Sequence, residues 1–264
     1  MTTEMKADRT GLEVCVGSPE SLLAACKGGA DRIELCAALE LGGLTPSPGL
    51  IAAASALPCP AYAMIRPRGG DFVFSETEEQ VMRADIAACA SARFCGVVLG
   101  ASLPDGRLDA VMLGRLLDYA NSCGIRHTTL HRAFDLVPDP YEALETAISL
   151  GFERILTSGG HQKANDGLIV LQQLVTQASG RISIMAGSGV TPFNAAKIVG
   201  CTGVTDVHAS CRGRISNSPG TSRGQALGFG ARCPDTDIAT VRAMRNVLDA
   251  IFINRAEHTA HSTV

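Results

Sequence analysis

Two triplets near the start of the chain share one form, Glu13-Val14-Cys15 and Glu34-Leu35-Cys36. Alternate side chains of an extended strand point the same way. Glu and Cys of each triplet therefore share a face, and Val14 and Leu35 take the other. Thiolates are soft ligands that favour Cu(I) and zinc. Cys15 and Cys36 facing each other across neighbouring strands would suit a low-coordinate Cu(I) ion. Zinc wants four ligands, so Glu34 or a nearby histidine would have to help complete its set. The chain holds neither a C-x-x-C nor a His-x-x-x-His on one helix, so spacing alone does not choose the metal.

A second group of residues points to different chemistry. Arg66 and Arg68 flank Pro67, which favours an extended backbone before it, and together they would grip an oxyanion. Ser158-Gly159-Gly160 and Gly187-Ser188-Gly189 offer unobstructed backbone N–H groups. Glu13 or Glu34, with His131 and Asp135, would act as base and acid, and His208 joins them at the end of another apolar run. This set suits a small phosphate- or carboxylate-bearing ligand. A third reading makes Cys15 or Cys36 a nucleophile acidified by Arg66 and His131. Against all three stands a purely structural lattice of Glu13, Glu34, Arg66 and Arg68.

These residues cluster only if the elements that carry them close on one another. Eight short apolar runs read as strands: Leu12–Val16, Arg32–Leu35, Ala61–Ile65, Gly96–Leu99, His127–Leu130, Arg154–Leu156, Ser183–Ala186 and Asp206–Ala209. Between them lie helix signals. Ser18-Pro19-Glu20 reads as N-cap, first-turn proline and acidic first turn. Ser75 and Glu78 have capping-box spacing. Asp139-Pro140 opens a helix that Gly151 closes, and Thr191-Pro192 opens another. Asp235 precedes a last helix with Val241, Met244, Val247, Leu248 and Ile251 on one face. Strands alternating with helices pair in parallel through crossovers. Eight such units predict an α/β fold, a single (β/α)8 TIM barrel. The first turn, Cys15-Val16-Gly17-Ser18-Pro19, lacks the glycine pattern of a doubly wound dinucleotide fold. Barrel enzymes work at the C-terminal ends of the strands, and the polar residues above fall there.

Composition bounds the rest. The 264 residues are 46% hydrophobic and 19% charged, with a net charge of -3, which argues against a general nucleic-acid footprint. Trp is absent and aromatics make up 4%, so a base-stacking platform is not expected. No apolar run reaches the roughly 20 residues of a membrane span. Met1–Thr10 lacks a secretory h-region, and ten cysteines in such a chain read as thiols in a reducing compartment, the cytoplasm. One domain is expected over 1–264, with 1–11 a flexible N-terminus. Residues 211–234, rich in Gly and Arg, form either a surface loop after strand eight or a lid bringing positive charge to an anion.

Several longer motifs carry a family resemblance. Leu12-Glu13-Val14-Cys15-Val16, Gly28-Gly29-Ala30-Asp31-Arg32-Ile33-Glu34-Leu35-Cys36 and Gly42-Gly43-Leu44-Thr45-Pro46-Ser47 resemble the CutC copper homeostasis family. So do Met64-Ile65-Arg66-Pro67-Arg68-Gly69-Gly70-Asp71-Phe72, His131-Arg132-Ala133-Phe134-Asp135 and Arg154-Ile155-Leu156-Thr157-Ser158-Gly159-Gly160. The resemblance runs from about Leu12 to Arg212. It implies a TIM barrel, a cytoplasmic location, copper handling, a homo-oligomer (dimer or tetramer), and copper ligands at Cys15 and Cys36. Gly17 departs from an Asp frequent in the family, and Gly187-Ser188-Gly189 from a run of three glycines. Arg66, Arg68, His131 and Asp135 have no task in holding a soft cation, and nearby positive charge opposes it. An enzyme acting on a small anionic metabolite therefore stands as the alternative.

Overall fold

The chain's punctuation is realised almost residue by residue. The computed structural model describes residues 9–213, 227 and 233–261, with backbone alone over 252–261. The strands are β1 (Gly11–Val16), β2 (Arg32–Leu35), β3 (Ala61–Met64), β4 (Gly96–Leu99), β5 (His127–Leu130), β6 (Arg154–Thr157), β7 (Ser183–Ala186) and β8 (Asp206–Ala209). Alternating with them among the described residues are α1 (Pro19–Gly28), α2 (Pro48–Ser55), α3 (Glu76–Ser91), α4 (Ala110–Ser122), α5 (Pro140–Leu150), α6 (Leu168–Ala178), α7 (Ala195–Thr202) and α8 (Ile238–His261). Ser18 caps α1 by accepting from the Ser21 N–H, and Ser75 and Glu78 close a reciprocal capping box on α3. Asp139 caps α5, and Gly151 ends it at φ 82°, a left-handed geometry that favours glycine.

One helix start differs from the sequence expectation and another gains its cap. Asp235 precedes α8 as expected, but the cap is Asp237, which accepts from the Thr240 N–H at 2.9 Å. Asp235 instead accepts from the hydroxyls of Ser18 and Ser21, tying the entry of α8 to the start of α1. α7 begins at Ala195, because Thr191 gives its N–H to the Asn194 side chain in the preceding turn. Gly11 belongs to β1 and Thr10 is buried, so order begins before the expected flexible segment ends; residues 1–8 lie outside the described residues. Most of the Gly/Arg segment 211–234 lies outside them too.

Each strand pairs in parallel with the next, and β8 returns to β1, closing the barrel. Followed once round the ring, the pairing arrives back on β1 eight residues away, the shear of a (β/α)8 barrel. One parity of each strand faces the helices: Leu12, Val14, Ile33, Leu35, Val97, Leu99, Leu130, Ile155 and Val207 are all fully buried in one core with Val241, Met244 and Leu248 of α8. Truncating such a leucine to alanine typically costs about 2–5 kcal/mol. α8 lies tightly on α1, since a Cβ on Gly28 would stand 2.5 Å from that of Val241.

Candidate functional site

The other parity faces inward, and it is largely polar. At the base, Arg32 of β2 is level with Glu13 of β1. Its Nε donates to Glu13 at 2.6 Å, one Nη to Asp206 of β8 at 2.8 Å, and the other to the Met185 sulfur at 3.1 Å. Arg154 of β6 reaches Thr129 and Glu153, and both guanidinium groups lie over the Tyr62 ring. Burial opposes charge on Glu13, but Arg32 and His208 outweigh it and hold the carboxyl well below its usual range. Asp206 is lowered against its own burial by Arg32 and Arg154. Sequence reading missed Arg32, Arg154 and Asp206 as interior residues. The strand period was the available signal, since Arg32 and Asp206 share parity with Glu34 and His208.

Above this base the barrel opens into a cavity of about 650 Å³ at the C-terminal ends of the strands. Its floor holds Cys15 of β1, Glu34 of β2 and His208 of β8, whose donor atoms lie within 4.8 Å of one another. Cys15 is level with Glu34 in the β1–β2 register, and Glu13 is level with His208 in β1–β8. His208 Nδ1 lies 2.8 Å from a Glu13 oxygen, which leaves Nε2 directed to Glu34 at 3.7 Å. A carboxylate behind one imidazole nitrogen is the usual way a metal-binding histidine is oriented. Burial works against a charge on His208, but Cys15, Glu34 and Glu13 around it push its pKa well above the ordinary value. Burial raises the Glu34 carboxyl. Cys36 is fully buried and donates its thiol to Glu34 at 3.4 Å; burial and then Glu34 push that thiol well up. It sits outside the three-residue group, one inward position above Glu34.

A match between the sequence profile of the CutC family and residues 10–213 decides the relationship. The chain belongs to the CutC family. A CutC family protein of Sinorhizobium medicae is 53% identical over 247 residues, covering 92% of this chain and 98% of the relative. The human "Copper homeostasis protein cutC homolog" is 41% identical, covering 92% of this chain and 90% of its own. The crystal structure of CutC from Streptococcus agalactiae superposes with a TM-score of 0.72 at 32% identity, covering 76% of this chain and 98% of that one.

The remaining residues singled out in the sequence are placed unevenly in this CutC barrel. Arg66 and His131 line the cavity. Arg68 does not. β3 has ended, Gly70 turns the chain at φ 86°, and Arg68 swings outward to Glu78, Asp71 and the Phe74 ring. Asp135 lines the cavity, but its oxygens are already engaged by Arg132, the Thr157 and Ser158 hydroxyls, and the N–H groups of Ser158 and Gly160. Gly159 gives its N–H to Thr157. The Ser158-Gly159-Gly160 turn is thus filled from within by a carboxylate of the protein itself. Ser188 and Gly189 line the cavity, Ser188 holding φ 74° with its hydroxyl on the Gln162 carbonyl. Gly187 lies beneath them, where a Cβ would stand 2.4 Å from Leu156.

His131 starts the short 3-10 turn Arg132–Leu136, and its Nδ1 accepts from the Ala133 N–H at 3.1 Å. Burial, then the neighbouring Arg66 charge, lowers its pKa to about 3. An NMR titration is expected to show a neutral His131 ring down to about pH 4; protonation near its ordinary 6.5 would refute this environment. The unfolded chain takes up that proton first, so the His131 contribution to stability is complete above pH 6.5 and declines as pH falls to about 3. Gly100 makes room for the ring, because a Cβ there would stand 2.5 Å from His131 Nδ1 and Cε1. Gly100→Ala is expected to destabilise by about 1–3 kcal/mol. An unchanged Tm would show that the ring shifts freely.

Proposed function

We propose that this chain binds copper as Cu(I) at the mouth of the barrel, as the name of its human relative would lead one to expect. The reading rests on one observation: a thiol, an imidazole nitrogen and a carboxyl converge at the cavity floor, with the imidazole already oriented by Glu13. The donors fit the ion. Sulfur and imidazole nitrogen suit Cu(I), whereas a carboxylate is a hard ligand. Cys15 and His208 are therefore the principal ligands. Glu34, raised by burial, serves as a hydrogen-bond acceptor and marginal ligand, and Cys36 stands behind it as the second thiol. Arg32 keeps Glu13 ionised, so Glu13 can hold Nδ1–H while Nε2 turns to the ion. All ten cysteines are free thiols, which supports a reducing compartment such as the cytoplasm. No helix among the described residues is long and apolar enough to cross a membrane.

Anaerobic titration with Cu(I) against a chromophoric chelator tests the reading. The expected endpoint is one copper per chain, with zinc bound more weakly under the same conditions. No retention of Cu(I) against the chelator would end the proposal.

A further inference from the structure

The cavity has a wall that copper binding does not use. His131 is 3% exposed and Arg66 5% exposed, and both line the cavity beside Phe72. The Phe72 ring lies 4.7 Å from the His131 ring, and the Arg66 guanidinium carbon 4.7 Å from Phe72. Because His131 Nδ1 accepts from the Ala133 N–H, the ring hydrogen sits on Nε2. That Nε2 is buried with no hydrogen-bond partner, and so is Arg66 Nε. The Nη atoms of Arg66 donate only to backbone carbonyls, those of Leu41, Gly43 and Gly70. No carboxylate among the described residues forms an ion pair with Arg66. A buried cation and two buried N–H donors without acceptors are costly in a wall built for stability alone. Arg132, which also lines the cavity, is by contrast paired with Asp135.

We infer that this wall is an anion seat: a phosphate or carboxylate group of a small metabolite accepts hydrogen bonds from His131 Nε2–H and Arg66 Nε–H, and Phe72 packs against the rest of the molecule. A neutral imidazole N–H beside an uncompensated guanidinium is suited to an oxyanion, because it donates without adding a second buried charge. The cavity volume of about 650 Å³ is that of a small-molecule site. The partners differ from those expected from sequence: Arg68 points away and the Gly159 turn is filled by Asp135, so the seat lies just past the C-terminal ends of β3 and β5, with the loop carrying Phe72.

The test uses the full, metal-free chain with its histidines labelled with 15N. Inorganic phosphate and succinate are added separately, against potassium chloride at equal ionic strength. With either anion, the expected result is a saturable shift of the His131 Nε2 resonance by about 10 mM and one-to-one binding by calorimetry. Affinity should fall about tenfold or more in His131→Leu and Arg66→Met, and stay unchanged in Arg68→Met, whose side chain turns outward to Glu78 and Asp71. Phosphate acting alone would assign the seat to phosphoryl groups, and succinate alone to carboxylates. A resonance that neither anion moves, or equal binding in wild type and His131→Leu, overturns the inference. The wild-type resonance is read directly, so the test stands even if a variant fails to fold. It is also independent of the copper reading, because the chain tested is metal-free and the resonance read belongs to His131.

Discussion

Cys15→Ser is expected to abolish stoichiometric Cu(I) binding while leaving the fold in place. Cys15 supplies the thiol of the three-residue group, and a serine hydroxyl is a hard donor with little affinity for Cu(I). Losing a hydrogen-bond partner of a ligand typically weakens metal binding about 10–100-fold, so losing the ligand itself should exceed that. A graded series follows. His208→Gln should approach the effect of Cys15→Ser, because it removes the Nε2 donor. Glu13→Gln should fall in the about 10–100-fold range, since His208 keeps its nitrogen but loses the carboxylate that orients it. Cys36→Ser should weaken binding by less than about tenfold, because Cys36 contacts Glu34 and stands outside the group. The ion must displace the proton that Cys15, Glu34 and Glu13 help to hold on His208, so affinity should rise with pH through and beyond the ordinary histidine range. Chelator competition on the four variants measures all of this. Wild-type affinity in Cys15→Ser would remove the site, and a Cys36→Ser loss equal to that of Cys15→Ser would restore a two-thiol centre.

Arg32→Met is expected to lower stability by about 3–5 kcal/mol, the usual penalty for removing one partner of a buried ion pair. Among the described residues Arg32 is the one cation ion-paired with both Glu13 and Asp206, whose side chains are 0% and 7% exposed, and methionine leaves two buried carboxylates without their shared cation. In a chain of this size the fall in Tm should be on the order of 10 °C. The sign of the pH dependence is fixed by the same carboxyls. Both are lowered in the folded wild type, so their stabilisation is present above their ordinary values of 4.5 and 3.8 and is lost as pH falls below them. The wild-type advantage over Arg32→Met should therefore be largest near pH 7 and shrink on acidification. Adding Glu13→Gln and Asp206→Asn to Arg32→Met should recover part of the loss. Denaturant unfolding at pH 7 and again below the ordinary carboxyl values of 4.5 and 3.8 decides it, and a difference below about 1 kcal/mol at neutral pH would show that water or rearrangement compensates the charges.

The strands, their order and the barrel were legible because each run carries its own local signals: β-branched residues, caps before the helices and glycines after them. Which face each side chain takes was legible too. Val14 and Leu35 meet the helices, while Glu13, Cys15, Glu34 and Cys36 turn inward, as a period of two requires. The height of each residue in the barrel was not. Period two assigns a face but says nothing of how far one strand is slid along its neighbour, and closure with a shear of eight sets that slide. Two triplets of one form thus end at different levels. Glu13 drops beside Arg32, Cys15 comes level with Glu34, Cys36 rises above both, and His208 enters from the far end of the sequence to face Cys15. Loops escaped prediction for a related reason. Once β3 stops at Met64, Arg66 and Arg68 no longer share a direction, and Asp135 reaches its turn from another strand's end. Residue types and their faces were written locally in the chain; their meeting points depend on contacts between segments far apart in it, and only the closed ring supplies those.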